Sequence, residues 1–378
     1  MKYEYWFANM KGITNKRKQE IRSKVSDLKE LYYIEETQFE KYEIRGKEKD
    51  SIQSSIQEWQ LDEEYQKLEK KGVRCITMAN AAYPSRLRNI SSAPYALYVK
   101  GKLPSEDKLH VAIVGARECS PYGMAMAREF GKALASRGIE IISGMARGVD
   151  SAGQQGALHA GGTSFGVLGC GVDICYPRDA IGLYMELQEQ GGVLSEYPPG
   201  TSPLSCHFPA RNRIISGLSD VVLVIEAKKS SGSLITADMA LEQGKDVYAL
   251  PGPINSHLSQ GCNELIKQGA GILLSPEDFL DELGIRGGTQ AEKNKQKNFV
   301  LETDENMVYS CLDFRPQNLE QLMSQTKLSV SELLDILVRL ELKGLVREIS
   351  KNYYAVVEGN VDGTLSGNRG ITCKSKDN

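Results

Sequence analysis

Phe208-Pro209-Ala210-Arg211-Asn212-Arg213-Ile214-Ile215-Ser216-Gly217-Leu218 runs directly into the apolar stretch Val221-Val222-Leu223-Val224-Ile225. The apolar stretch reads as a strand covered on both faces, the mark of a parallel sheet packed between helices. The polar cluster must therefore lie near the edge of a packed sheet. An aromatic face beside guanidinium forks suits a base and its phosphate. The plainer alternative puts Phe208 in the core and leaves Arg211 and Arg213 as surface charges. Asn212 between them suits a tight polar turn.

Working outward, residues 108 to 283 alternate apolar strands with helical stretches. Strands are expected at Val111–Val114, Ile139–Ser143, Ser164–Leu168, Gly192–Glu196, Val221–Glu226, Asp246–Leu250 and Gly271–Leu274. Helices are expected at Met124–Arg137, Ser151–Ala160, Ile181–Gln190, Leu234–Gln243 and Pro276–Leu283. This is the βαβ rhythm of a doubly wound, mostly parallel, extended Rossmann-like α/β sheet.

The flanks differ in character. Residues 1–70 are charged and helix-like, with Leu28, Leu31 and Tyr32 on one face. The turn from Met10 to Arg17 is capped by Thr14 or Asn15. It gives this small helical domain a helix-hairpin-helix (or SAM-like) outline. Residues 72–107 read as short strands and turns leading into a main domain over 71–283. Residues 284–298 read as a polar linker. From 299 to 357, two amphipathic helices (Leu319, Leu322 and Met323; then Leu333, Ile336, Leu337 and Leu340) precede a hairpin formed by 344–349 and 353–356. That outline is winged-helix-like. Residues 358–378 are polar and glycine-rich and are expected to be a disordered tail.

Composition limits the function. At 378 residues the chain is long enough for two or three domains. The formal net charge of -3 supplies no global field for DNA, so any nucleic-acid site must be a local basic patch. The longest apolar runs fall well short of the roughly 20 residues that span a bilayer. The start, Met1-Lys2-Tyr3-Glu4-Tyr5-Trp6, lacks the basic-then-apolar order of a signal peptide. The 8 cysteines include no CxxC pair, which argues against zinc and for free thiols in a reducing cytoplasm.

Three loops at strand ends are further candidates. After Val111–Val114 come Gly115, Ala116 and Arg117, and a helix begins near Ser120. Ligands sit at such strand ends, and helix-start amides favour anions. A plain turn with Arg117 in a surface ion pair suits this segment equally well. After the next strand, Ser143-Gly144-Met145-Ala146-Arg147-Gly148-Val149-Asp150 repeats the pattern. Here Asp150 is expected as an N-cap, with Arg147 paired to it rather than to a ligand, while the glycines let the backbone approach a ligand or another loop. The third loop, Ser230-Ser231-Gly232-Ser233-Leu234-Ile235-Thr236, carries more hydroxyls than capping requires, so it is read as a phosphate contact.

Catalytic signals are thin. His110, His159, His207 and His257 show no spacing that pairs them with a nucleophile or metal. Neither GxGxxG nor GxxxxGK[ST] occurs, so no nucleotide cofactor and no ATP hydrolysis are expected. Glu196 and Glu226, at strand ends, are expected to accept hydrogen bonds from loop amides. The chain is read as a binding protein rather than an enzyme, with no metal and no cofactor.

The ordered set of motifs resembles the DNA-processing protein A family, also called DprA or Smf. It comprises Tyr83-Pro84 through Gly101, Gly115-Ala116-Arg117 with Tyr122-Gly123, Ser143 through Asp150, and Gly169-Cys170-Gly171-Val172-Asp173 with Tyr176-Pro177. It continues with Ser195-Glu196-Tyr197-Pro198, Phe208-Pro209 with Arg211-Asn212-Arg213, Ser231 through Ala237, Pro251-Gly252, and Gly261 through Gly269-Ala270. The resemblance implies a homodimeric protein that binds single-stranded DNA during natural transformation and loads the RecA recombinase onto it. It implies phosphate contacts by Arg117 and by Arg211 or Arg213, with Phe208 stacking at a base and the Gly115 and Gly232 loops supplying amides. Ser120, Gly144, Arg147, Asn212, Ser233 and Thr236 complete the expected DNA-binding set. One departure is Gln154, where the family usually carries histidine.

Two other classes compete. A Rossmann-like nucleotide-processing enzyme, similar to the phosphoribohydrolases, would need their PGGxGTxxE signature. The corresponding place here, Ser231 to Asp238, lacks the glycine pair and the glutamate and offers only Asp238. A duplex-DNA regulator would use the winged helix, but its expected recognition helix, 330–340, carries Glu332 and Asp335 against the single base Arg339. That suits a protein partner better than a phosphate groove.

Overall fold

The computed structural model describes residues 1–285, 303–312 and 316–356. Apart from its first two residues, the expected linker over 284–298 lies outside the described residues, as does the expected tail. The chain forms two compact units, Met1–Gly287 and Gly288–Asn378.

The first unit opens with five helices: α1 (Lys2–Asn9), α2 (Asn15–Lys24), α3 (Leu28–Tyr32), α4 (Lys47–Glu58) and α5 (Leu61–Lys70). Thr14 caps α2, its hydroxyl accepting from the Arg17 amide at 3.3 Å. Trp6, Phe7, Ile21 and Leu31 are buried together with Cys75, Tyr95 and Tyr98 from the segment that follows, so the helices share one core with it. That segment holds β1 (Arg74–Thr77), α6 (Ser85–Arg88) and β2 (Ala96–Gly101). The Glu4 carboxylate ties the two parts together, accepting from Thr77 and Tyr95 hydroxyls at 3.0 and 2.9 Å and from Arg22 at 2.8 Å.

The α/β layer follows in the expected rhythm: β3 (His110–Val114), α7 (Pro121–Ala135), β4 (Glu140–Ser143), α8 (Val149–His159), β5 (Ser164–Val167), α9 (Ile181–Gln190) and β6 (Gly192–Ser195). It continues with α10 (His207–Leu218), β7 (Val221–Val224), α11 (Gly232–Glu242), β8 (Asp246–Ala249), α12 (Gln260–Lys267), β9 (Gly271–Ile272) and α13 (Pro276–Glu282). All seven expected strands form, running parallel in the order β6-β5-β4-β3-β7-β8-β9, while β1 and β2 extend the β6 edge antiparallel. Leu97, Ile142 and Val222 face one buried layer; Val111, Ile141 and Leu223 face the other. Burial on both faces is why these strands read as continuous apolar runs.

One expectation is overturned here. The 208–218 stretch is not a polar turn; it is helix α10. Its buried residues Arg211, Ile214, Ile215 and Leu218 stand at i, i+3, i+4 and i+7, the spacing of one helix face. Pro209 is accommodated because the first helical turn leaves its amides unpaired.

The second unit is a small helical domain with a wing: α14 (Thr303–Cys311), β10 (Gln317–Asn318), α15 (Leu319–Thr326), α16 (Val330–Leu342), β11 (Val346–Ser350) and β12 (Tyr353–Val356). The strands pair antiparallel in the order β10-β12-β11, and Leu322, Leu333, Ile336, Leu337 and Leu340 fill the core. This is the expected winged-helix outline, with one helix and one short strand added. Among the described residues no helix is long and apolar enough to cross a membrane.

Candidate nucleic-acid interface

In an open α/β sheet, connections from neighbouring strands leave in opposite directions at one point, and a crevice opens there at the strand C-termini. In this sheet the point lies between β3 and β7, whose registers match Val114 to Val224. A cleft of about 780 Å³ sits there. One wall is the loop after β3, with Gly115 and Arg117; the other is the start of α11, with Ser231, Gly232, Ser233 and Thr236. Phe208, Arg211 and Asn212 from α10 line it as well.

Most of the expected residues thus converge on one hollow, but their roles differ. Arg117 is exposed and makes no ion pair among the described residues; its guanidinium stands 5.5 Å from the Phe208 ring centroid. The alternative of a surface salt bridge for Arg117 is therefore not realised. Lys228 adds a second exposed cation to the lining, against one exposed carboxylate, Glu118, among the described residues. Phe208 is half-buried and stacks on Tyr176, with centroids 5.3 Å apart and rings inclined by 26°.

Arg211 is not the surface grip that was expected. It is buried at 4% exposure, and one Nη donates to the carbonyls of Gly144 (2.8 Å) and Val167. Burial lowers its guanidinium to about 10, opposed by attraction to Asp150. Burial in turn raises the Asp150 carboxyl, opposed by Arg211 and by the Gly144 and Ala146 amides. Arg211 remains charged at neutral pH and forms the floor of the cleft. A helix face that is otherwise apolar carries it inward, which explains why its pattern reads as polar in sequence.

Arg213 is also corrected. It holds Glu196 through two hydrogen bonds of 2.7 and 2.6 Å and does not line the cleft. Glu196 consequently serves a side chain rather than loop amides. Glu226 does take the expected role: it accepts from the Ser120 amide at 2.8 Å and hydroxyl at 2.5 Å. Ser120 itself caps α7 by accepting from Gly123 at 3.0 Å, so it braces the loop instead of facing the cleft.

The 143–150 loop departs from expectation at both charged positions. Arg147 pairs with Asp179 at 2.9 Å on the surface, and the Asp150 carboxylate accepts from the Gly144 amide at 3.1 Å, while Gly148 holds the N-cap position. The glycines do serve close approach. A Cβ on Gly144 would strike the Arg211 guanidinium; Gly148 has φ +79° and lies against the carbonyls of Ala116 and Arg117. The loop therefore packs on the Gly115 loop and on the buried arginine.

At the third loop, Ser231 caps α11, and its hydroxyl lies 2.8 Å from that of Ser233. Ser230, Ser231, Ser233 and Thr236 all line the cleft, while Asn212 donates to the Gly232 carbonyl at 3.3 Å. Asp238 is exposed and is not among the cleft-lining residues, which leaves the phosphoribohydrolase alternative without its carboxylate. Gln154 is fully buried, donating to the Phe165 carbonyl at 3.1 Å. The sequence reading missed Tyr176 and Lys228 as lining residues. A Tyr-Pro step in a loop does not by itself point to a cleft, and a lone exposed lysine carries no pattern.

Residues 74–284 match the family model described as DNA recombination-mediator protein A, and residues 292–350 match the DprA winged helix domain. Protein Smf of Escherichia coli is 39% identical over 294 residues, covering 76% of this chain and 78% of that protein. The DNA processing protein DprA of Streptococcus pneumoniae is 41% identical over 224 residues, 59% of this chain and 79% of that one. The X-ray structure of DprA from Streptococcus pneumoniae superposes with a TM-score of 0.65 at 34% identity, covering 75% of this chain and 98% of the other. A structure of DNA processing protein A from Helicobacter pylori, described for its single-stranded DNA binding mode, gives a TM-score of 0.52 at 31% identity over 56% of this chain and 95% of that one. The chain belongs to the DNA recombination-mediator protein A family.

Proposed function

We propose that the cleft binds single-stranded DNA and that the protein is a recombination mediator in natural transformation. In this reading it shelters incoming strands and loads RecA onto them, acting in the cytoplasm as a homodimer. The observation that carries the reading is Arg117, exposed, without a carboxylate partner among the described residues, and poised over Phe208 at the mouth of the cleft. A guanidinium beside an aromatic ring meets a phosphate and a base together, and the hydroxyl-lined start of α11 opposite supplies anion donors. Such a contact follows any unpaired strand, because every base has a π-face. The Helicobacter pylori relative, described as binding single-stranded DNA, supports the same assignment.

A fluorescence-anisotropy titration with single-stranded and duplex DNA of equal length tests it. Tighter binding of the single strand, weakening as salt rises, is expected; equal or stronger duplex binding overturns it. Loading is tested by adding RecA to single strands coated with single-strand binding protein. Faster filament formation in the presence of this protein is expected, and no change refutes the mediator role. Light scattering at micromolar concentration should give twice the chain mass of 41.7 kDa.

A further inference from the structure

A second hollow, of about 450 Å³, adjoins the cleft and shares Arg117, Tyr176, Phe208 and Arg211 with it. Gly169, Cys170 and Pro177 also line it. Both volumes fall in the range of roughly 300–1,000 Å³ typical of small-molecule sites. The stacked rings of Phe208 and Tyr176 are therefore a wall common to two hollows, with Arg117 beside it.

The two rings are not equally available. Phe208 is half-buried and already engaged by Tyr176 and Arg117, and a Cβ on Gly169 would lie 2.8 Å from its ring. Tyr176 is 40% exposed. At the rim of the second hollow, Arg147 is paired with Asp179, but the two side chains are 67% and 58% exposed. Ion pairs that open to water are weak, so Arg147 can exchange Asp179 for a phosphate at little cost.

Resting on the single-strand reading above, we propose that the second hollow is a second nucleotide subsite. Each protomer holds two consecutive nucleotides: one base in the cleft, the next against Tyr176, with Arg117 at the phosphate that joins them. Tyr176, rather than Phe208, is then the stacking surface of the second base, and Arg147 meets the phosphate beyond it.

The test is competition against a fluorescent oligothymidylate bound to the full chain, using thymidine 5′-monophosphate and the dinucleotide pTpT. A stacked second base should make pTpT compete at least about fivefold better. Tyr176→Ala should bring the two competitors to within about twofold, whereas Tyr176→Phe, which keeps the ring, should retain the difference. Arg147→Glu, a surface change, should also shrink the ratio. A ratio unchanged in both Tyr176→Ala and Arg147→Glu overturns the subsite, as does a bound oligothymidylate that neither short ligand displaces. If the oligothymidylate itself fails to bind, the underlying single-strand reading has failed instead.

Discussion

Three arginines near one cleft have three different jobs, decided by what surrounds each guanidinium. Arg117 stands in water beside an aromatic ring, Arg211 is enclosed among carbonyls near a carboxylate, and Arg213 is held by Glu196. Arg117→Ala should weaken single-strand binding and lower the slope of log affinity against log salt by about one phosphate contact, measured by anisotropy at several salt concentrations. Arg213→Ala should leave that slope unchanged in the same series. Arg211→Met should destabilise the fold by about 3 kcal/mol, because it strands the buried Asp150 carboxylate. Pairing it with Asp150→Asn should recover much of the loss in urea denaturation. The Arg117 loop and the α11 hydroxyls were legible as candidates from their strand-end positions, and Phe208 from the aromatic-arginine cluster ahead of the β7 run. The split among the arginines was not, because an arginine at a buried helix position looks the same in sequence as one at the surface.

At the scale of elements, the parallel strands were legible because burial on both faces leaves unbroken apolar runs, as in Val221–Val224. Helix α10 was not, since Pro209 and the Arg-Asn-Arg triplet are also turn chemistry. The i, i+3, i+4, i+7 set at 211, 214, 215 and 218 was the available signal, hidden because its first member is charged. Helix α2 carries another charge in an interior position: Lys18 is 5% exposed and donates to the Ala8 carbonyl at 2.5 Å. Burial lowers its ammonium from 10.5 to about 8. Below about pH 8 both folded and unfolded states hold the proton, and the full cost of burying charge, about 3 kcal/mol, persists. Between about 8 and 10.5 the folded state releases its proton first, so stability rises with pH. Lys18→Met should raise the urea midpoint at pH 7 and gain less than wild type on going to pH 9.5, the comparison cancelling the other titrating groups.

Taken whole, the molecule separates into a unit that carries the cleft, Met1–Gly287, and a winged-helix unit whose helix α16 is acidic. Glu332 closes a capping box with Ser329, and Asp335 pairs with Arg339, which leaves little positive charge for a duplex backbone. Residues 1–287 alone should bind single-stranded DNA within a few-fold of the full chain, while residues 288–378 alone should show weak, salt-sensitive duplex affinity at most; filter binding of the two fragments decides both. The outline of both units was legible from hydrophobic periodicity. The sharing of one core by the N-terminal helices and β1–β2 was not, since it depends on contacts such as Phe7 with Tyr95 and Tyr5 with Tyr98 that no local pattern encodes.

The guanidinium of Arg211 fastens the ends of two neighbouring strands, through Gly144 beyond β4 and Val167 in β5. A receptor braced in this way has its shape before any guest arrives. Binding of a strand there would require little reorganisation, so association should not be slowed by a conformational step, and tuning of affinity among variants of the rim should fall mainly on how slowly the strand departs.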